Sequence, residues 1–160
     1  MQNITIRTAT RNDCIDLAAL IRELAQFEHL EQEVSADART LEQSLFDGPP
    51  RAFALMAEAG GKTAGFCLYF YNFSTFLGRP GLYIEDIFIR PAFRKQGIGK
   101  RFFTQLAEIA RKNRCGRMEW WVLDWNKSAI EFYERLGAVP MSEWIVYRLT
   151  SEKFASLEEA

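Results

Sequence analysis

Two adjacent carboxylates, Glu85 and Asp86, interrupt an otherwise apolar, β-forming run at residues 82–89. Pro91 then halts the strand, and Arg94-Lys95-Gln96-Gly97-Ile98-Gly99-Lys100 leads into a helix at 98–113. Gly97 and Gly99 allow a tight turn and a close approach of backbone to a ligand. The N-terminal N–H groups of the helix then attract a phosphate or pyrophosphate. A plain strand–turn–helix corner is the alternative, because short glycine motifs recur by accident. Taken alone, the carboxylate pair reads as solvated or ion-paired at a strand end. Strict alternation puts its two members on opposite faces of the strand. Glu28 opens an acidic segment through Glu33, which is either a solvated helix end or a rim for a cationic ligand. Tyr133 stands beside Phe132 on a short helix, a pair that ordinarily packs as core aromatics.

The elements that must position these residues are legible in order. Residues 4–7 alternate as a first strand. Thr10 caps a helix, with Asp13 in a capping-box position and Leu17, Leu20, Ile21 and Leu24 on its buried stripe. That helix ends near Phe27, and Ser35 caps a second one with Val34, Ala38, Leu41 and Leu45 on one face. Residues 52–58 and 63–71 form a hairpin about Gly60-Gly61, and 72–80 form an aromatic loop with Phe73 and Phe76. After the central strand, the long helix buries Ile98, Phe102, Leu106 and Ile109, and Gly116 caps it. A strand at 118–123 carries Trp120 and Trp121. Asn126 caps a helix that Gly137 ends, 144–149 form a last strand, and the tail after Ser151 frays. This order predicts one α/β domain over residues 1–160, a mixed sheet with helices on both faces.

Composition narrows the function. A net charge of −1 argues against a nucleic-acid binder, and no apolar run reaches membrane-spanning length. Cys14, Cys67 and Cys115 form no Cys-x-x-Cys pair and read as free thiols in a reducing cytoplasm; the N-terminus lacks a signal-peptide pattern. His29 is the single histidine, so neither a Ser-His-Asp triad nor a multi-histidine metal site is supported, and no metal is expected. A P-loop is excluded because Arg94 and Arg101 stand where it needs Gly and Ser or Thr.

Arg94-Lys95-Gln96-Gly97-Ile98-Gly99 resembles the acetyl-CoA loop of the GNAT N-acetyltransferases. Asn126-Lys127-Ser128-Ala129-Ile130-Glu131-Phe132-Tyr133, followed by Gly137-Ala138, is similar to their second signature. Within that family, Glu23-Leu24-Ala25-Gln26-Phe27-Glu28, Leu82-Tyr83-Ile84-Glu85-Asp86-Ile87 and Val122-Leu123-Asp124-Trp125-Asn126 resemble the diamine (spermidine/spermine) and thialysine acetyltransferases. Ser74-Thr75-Phe76-Leu77-Gly78-Arg79 resembles the loop of the thialysine type. The polyamine type carries Asp and Trp where this chain has Ser74 and Phe76.

The resemblance implies the GNAT fold, with six to seven mostly antiparallel strands, a homodimer, and acetyl-CoA as cosubstrate. It implies acceptor contacts from Phe27, Glu28, Glu85, Asp86, Phe76, Trp120 and Trp144. Ile87, Phe88 and Ile89 would pair with the pantetheine arm, and Arg94, Lys95, Gln96, Gly97, Ile98, Gly99 and Lys100 would hold the pyrophosphate. Asn126, Ser128, Ala129 and Tyr133 would complete the cofactor site, with Tyr133 protonating the CoA thiolate. A bulge of the family would bring both carboxylates to the cleft. A lysine-like amine has a pKa near 10.4, so only about one in 2,500 is a free nucleophile at pH 7. Glu85, acting through water, would remove the proton. The expected activity is direct acetyl transfer to a small cationic amine: a diamine, a polyamine or a lysine-like amino acid. A protein or peptide acetyltransferase and a non-catalytic acyl-CoA sensor are the rivals.

Overall fold

The computed structural model describes residues 3–155 and 157, and the chain divides into two compact units, Met1–Trp121 and Val122–Ala160. The first unit holds a five-stranded sheet in the order β1 (Ile4–Thr8), β2 (Phe53–Ala59), β3 (Lys62–Ser74), β4 (Arg79–Ile89) and β5 (Arg117–Trp120). The first four strands are antiparallel neighbours, and β5 lies parallel to β4, so the sheet is mixed and mostly antiparallel as expected. Five strands are fewer than the expected six to seven. Residues 144–149 form no ladder, because an apolar run specifies burial and not a pairing partner.

Helices cover both faces of the sheet. On one, α1 (Cys14–Glu28) and α2 (Ala38–Phe46) bury Leu17, Leu20, Leu24, Leu41 and Leu45 against Ala54, Met56, Phe66 and Phe88. On the other, α3 (Ile98–Lys112) buries Ile98, Phe102, Phe103 and Leu106, and the Phe103 ring meets Trp120 at 5.0 Å. The expected apolar stripes of α1 and α3 therefore match the observed cores, apart from Ile21 and Ile109, which are only partly buried.

The entry to α1 is tied to β1 by charge. Arg7 donates to both Asp13 carboxylate oxygens at 2.7 and 2.8 Å, and the Thr10 amide donates to the same carboxylate at 2.7 Å. These bonds, that from Arg7 first, hold Asp13 well below the ordinary carboxylate range. His29, at φ 60°, closes α1 in the left-handed region. The α2 N-cap is Asp37, not Ser35: its Oδ1 accepts from the Thr40 amide at 2.8 Å.

Three other expectations need correction. The stretch 72–80 is not a loop: β3 and β4 pair as far as Ser74 and Arg79, leaving a turn at residues 75–78. Its Asn, Gly and Pro read as breakers, yet Pro80 precedes the β5 pairing, which starts at Gly81. The left-handed residue after α3 is Arg114 (φ 54°), not Gly116. Residues Ser151–Ala155 form a short helix, α5, rather than a frayed tail. The second unit also holds α4 (Lys127–Arg135), capped by Asn126 and followed by Gly137 at φ 87°, as expected.

Candidate active site

The two adjacent carboxylates sit at an irregularity of the sheet. Leu68 of β3 opposes Asp86, and Tyr69 opposes Ile84, so Glu85 is the extra residue of a β-bulge. A bulge adds a residue on one strand and re-aims the side chains beside it. Its effect is visible in the packing on either side. Phe88, two residues beyond Asp86, joins the core under α1, whereas Ile84 opposes Trp120 on the α3 face. Asp86 therefore shares the α1 face with Phe88, and Glu85 is left exposed beside it.

The electrostatics of this corner are one-sided. Burial pushes the Asp86 carboxyl up to about 6, and the like charges of Glu85 and Glu28 add to the shift. Burial also raises Glu28, the last residue of α1. Tyr83, one bulge away, is pushed up to about 12 by burial and then by Glu85, Glu119 and Asp86. Every influence on Asp86 disfavours its charge, so a cation brought here relieves the repulsion. Among the described residues, no group of three or more His, Cys, Asp or Glu could hold a metal ion.

Beyond the bulge the sheet parts. β5 pairs with β4 only at positions 81–84, so Glu85 to Ile89, including Ile87 and Phe88, have no strand on that side among the described residues. This edge leads into the Arg94–Lys100 loop. Lys95 (φ 61°) and Gly97 (φ 83°) are both left-handed, which turns the chain tightly into α3. The first bond of α3 runs from the Arg101 amide to the Gly97 carbonyl at 3.1 Å, so Ile98, Gly99 and Lys100 keep amides without intrahelical acceptors. The Gln96 side chain donates to the Ala92 carbonyl at 3.2 Å and steadies the turn.

Phe27 and Arg94, expected on the acceptor and cofactor sides, are brought together. The Arg94 guanidinium lies 4.8 Å from the Phe27 ring centre and 5.8 Å from that of Phe88, and its Nε donates to the Ile89 carbonyl at 2.9 Å. Arg90 grips Glu23 of α1 with a fork at 2.7 and 2.9 Å. The end of β4 and the end of α1 are thus held as one corner.

Two expected acceptor residues of this unit fall elsewhere. Phe76 is 95% exposed at the β3–β4 turn, and seven steps of β4 between Arg79 and Asp86 put it roughly 23 Å or more away. Trp120 faces α3. Trp121, the next residue, is edge-on to Tyr83 at 6.0 Å and belongs to the Asp86 face. The parity of Trp120 and Trp121 relative to Glu119 was the available signal, and it needed the β5 register to be read.

The remaining expected residues lie in the second unit. Asn126 Oδ1 accepts from the Ala129 amide and the Ser128 hydroxyl, each at 3.3 Å. Tyr133 lies on α4 with its ring 5.7 Å from Phe132, and Trp144 lies outside regular secondary structure.

A parted parallel pair, a bulge bearing carboxylates and an open helix N-terminus thus lie along one strand, and the comparisons give the family. Residues 18–138 match the Acetyltransferase (GNAT) family, and the chain belongs to that family. It is 36% identical over 168 aligned residues to the thialysine N-epsilon-acetyltransferase of Mus musculus, covering 98% of each. It is 46% identical over 96 residues to the L-ornithine N5-acetyltransferase of Arabidopsis thaliana, covering 60% of this chain and 42% of that relative. Among solved structures, an integron cassette protein from V. cholerae superposes with a TM-score of 0.80 at 25% identity over 98% of both chains. The protein is an acetyltransferase of a family that uses acetyl-CoA.

Proposed function

We propose that this acetyltransferase acetylates the terminal amine of a small cationic acceptor, a lysine-like amino acid or a short diamine. The observation that carries the reading is the bulge at Glu85, which gathers Glu28, Glu85 and Asp86 where the sheet parts. The named activities of the mouse and Arabidopsis relatives support an amine acceptor.

The site fits acetyl-CoA in two respects. The unpaired β4 edge offers backbone groups to an extended arm, and the left-handed turn with the α3 N-terminus offers amides to a pyrophosphate. When bound, acetyl-CoA supplies the acetyl group as a thioester. Asp86 and Glu28 hold the incoming ammonium. Glu85, being exposed, passes the amine's proton through water to solvent, and Asp86, with a pKa of about 6, stands closer to an amine than an ordinary carboxylate does. Tyr133 supplies a proton to the leaving sulfur; a thiol pKa near 8.5 makes this an easy transfer from a phenol. Asn126, Ser128 and Ala129 hold the cofactor. We propose further that residues 1–160 act as one domain, in the cytoplasm, as a homodimer that light scattering at micromolar concentration would detect.

The experiment is a panel of lysine, thialysine, ornithine, putrescine, spermidine, spermine and a lysine-bearing peptide, read by release of free thiol from acetyl-CoA. Compact cationic acceptors should give the highest kcat/KM, and KM should rise with salt. Preference for spermine or the peptide, or equal use of neutral amines, would overturn the acceptor reading.

A further inference from the structure

The face that carries Asp86 holds a second polar cluster farther along the sheet. Asn72 of β3 opposes Gly81, Gly81 opposes Arg117, and Tyr83 opposes Glu119. Asn72 reaches across β4 and donates from Nδ2 to Glu119 Oε2 at 3.1 Å, and Arg117 Nε meets the same oxygen at 2.9 Å. The reach exists because position 81 has no side chain: a Cβ there would collide with Asn72 Oδ1. That Oδ1 is buried without a hydrogen-bond partner. Buried polar atoms are rarely left so, and the exceptions concentrate where function overrides local satisfaction. The result is a carboxylate fixed by one oxygen. Both side chains keep access to solvent, Glu119 at 36% and Arg117 at 40% exposure.

Between this cluster and the bulge runs an aromatic floor. Tyr83 lies 5.0 Å from Phe70 and edge-on to Trp121. The Tyr83 hydroxyl feels Glu85, Asp86 and Glu119 together, which locates it between the two charged ends. Glu119 opposes Tyr83, three residues from Asp86, and Arg117 opposes Gly81, five residues away, so at the usual strand rise the two stand about 10 and 16 Å along β4 from Asp86, less across a bulge and less again by the reach of their own side chains. The side chain of lysine, thialysine or ornithine spans such a gap, with its ammonium at one end and its α-carbon groups at the other.

We propose that Arg117 and Glu119 form the far end of the acceptor site and read the α-carboxylate and α-ammonium of an amino-acid acceptor whose terminal amine lies at Glu85 and Asp86. The inference rests on the amine-acetyltransferase reading above. A cation and an anion side by side match a zwitterion. A diamine brings only a second ammonium, which Arg117 repels, so the pair discriminates by repulsion as well as by attraction. Asn72 is a positioning residue that acts through Glu119.

Matched pairs isolate the carboxylate: lysine against cadaverine, and ornithine against putrescine. The full-length protein should favour each amino acid over its diamine by at least about tenfold in kcat/KM. Arg117→Met should raise KM for lysine and ornithine roughly tenfold with kcat little changed, and leave the diamines unchanged or improved. Glu119→Gln should weaken all four, and Asn72→Ala should give a milder copy of it. An equal effect of Arg117→Met on amino acids and diamines, or none on either, overturns the proposal. Calorimetric titration of lysine and cadaverine into CoA-saturated protein repeats the comparison without turnover. Absence of turnover with every amine counts against the acceptor reading, whereas equal affinity for lysine and cadaverine overturns this far-end assignment.

Discussion

Asp86 titrates near pH 6 in the fold and near 3.9 in an unfolded chain, which fixes the sign of its effect on stability. Below about pH 4 it is neutral in both states and costs nothing. Between about pH 4 and 6 the unfolded chain releases this proton while the fold retains it, so stability is lost over that window and no further above it. Asp86→Asn should therefore raise Tm by up to roughly 6–12 °C at pH 7.5, less what burying the amide costs, and change it little at pH 3.5, by thermal melts at both values. The same change should cut kcat/KM for a cationic amine at least about tenfold, and in the unaltered protein the acceptor KM should climb as pH falls below about 6. A lowered Tm at pH 7.5 would mean that Asp86 has an unseen partner in the free enzyme. Tyr133→Phe keeps the ring against Phe132 and removes the hydroxyl. If proton delivery to sulfur limits the rate, kcat should fall by roughly 10²–10⁴, and a change under threefold would return Tyr133 to a packing role.

At the scale of elements, the loop between β4 and α3 is the most exacting piece. Gly97 has open space around its Cα but a φ of 83°, so backbone conformation and not crowding within the protein selects glycine there. Gly97→Val should weaken acetyl-CoA binding at least about tenfold by calorimetry with the fold intact. Gly97→Asn, which tolerates the left-handed region, should retain more of it. Unchanged affinity in the valine variant would remove the loop from the cofactor site. This loop was legible because glycine spacing, a proline stop and a following amphipathic helix all act locally. The helix stripes and the Thr10–Asp13 box were legible for the same reason. The bulge was not: alternation alone sends Glu85 and Asp86 to opposite faces, and only the family resemblance argued otherwise. Asn72 was hidden too. Among Phe73, Gly78 and Pro80 it reads as loop, and its reach over Gly81 depends on the register of three strands. The resemblance points to Trp120, whereas the β5 register puts Trp121 on the Asp86 face, because sequence gives a strand's period without its phase.

At the scale of the molecule, cofactor and fold are thermodynamically linked. A ligand that binds only the folded state at 100 times its Kd adds about 2.7 kcal/mol. For a chain of this size, Tm should rise about 5–10 °C with saturating acetyl-CoA, and an unmoved Tm would contradict binding to the folded form. The side of β4 left unpaired after position 84 gives this linkage a second meaning. A bare strand edge is a template for any extended backbone, including that of another copy of the chain. An arm lying along β4 would occupy that template and act as a plug against edge-to-edge association. Turbidity on warming should accordingly set in at higher temperature with CoA present than the rise in Tm alone explains. A cell short of acetyl donors would deprive the enzyme of its substrate and of its protection from self-association at the same moment.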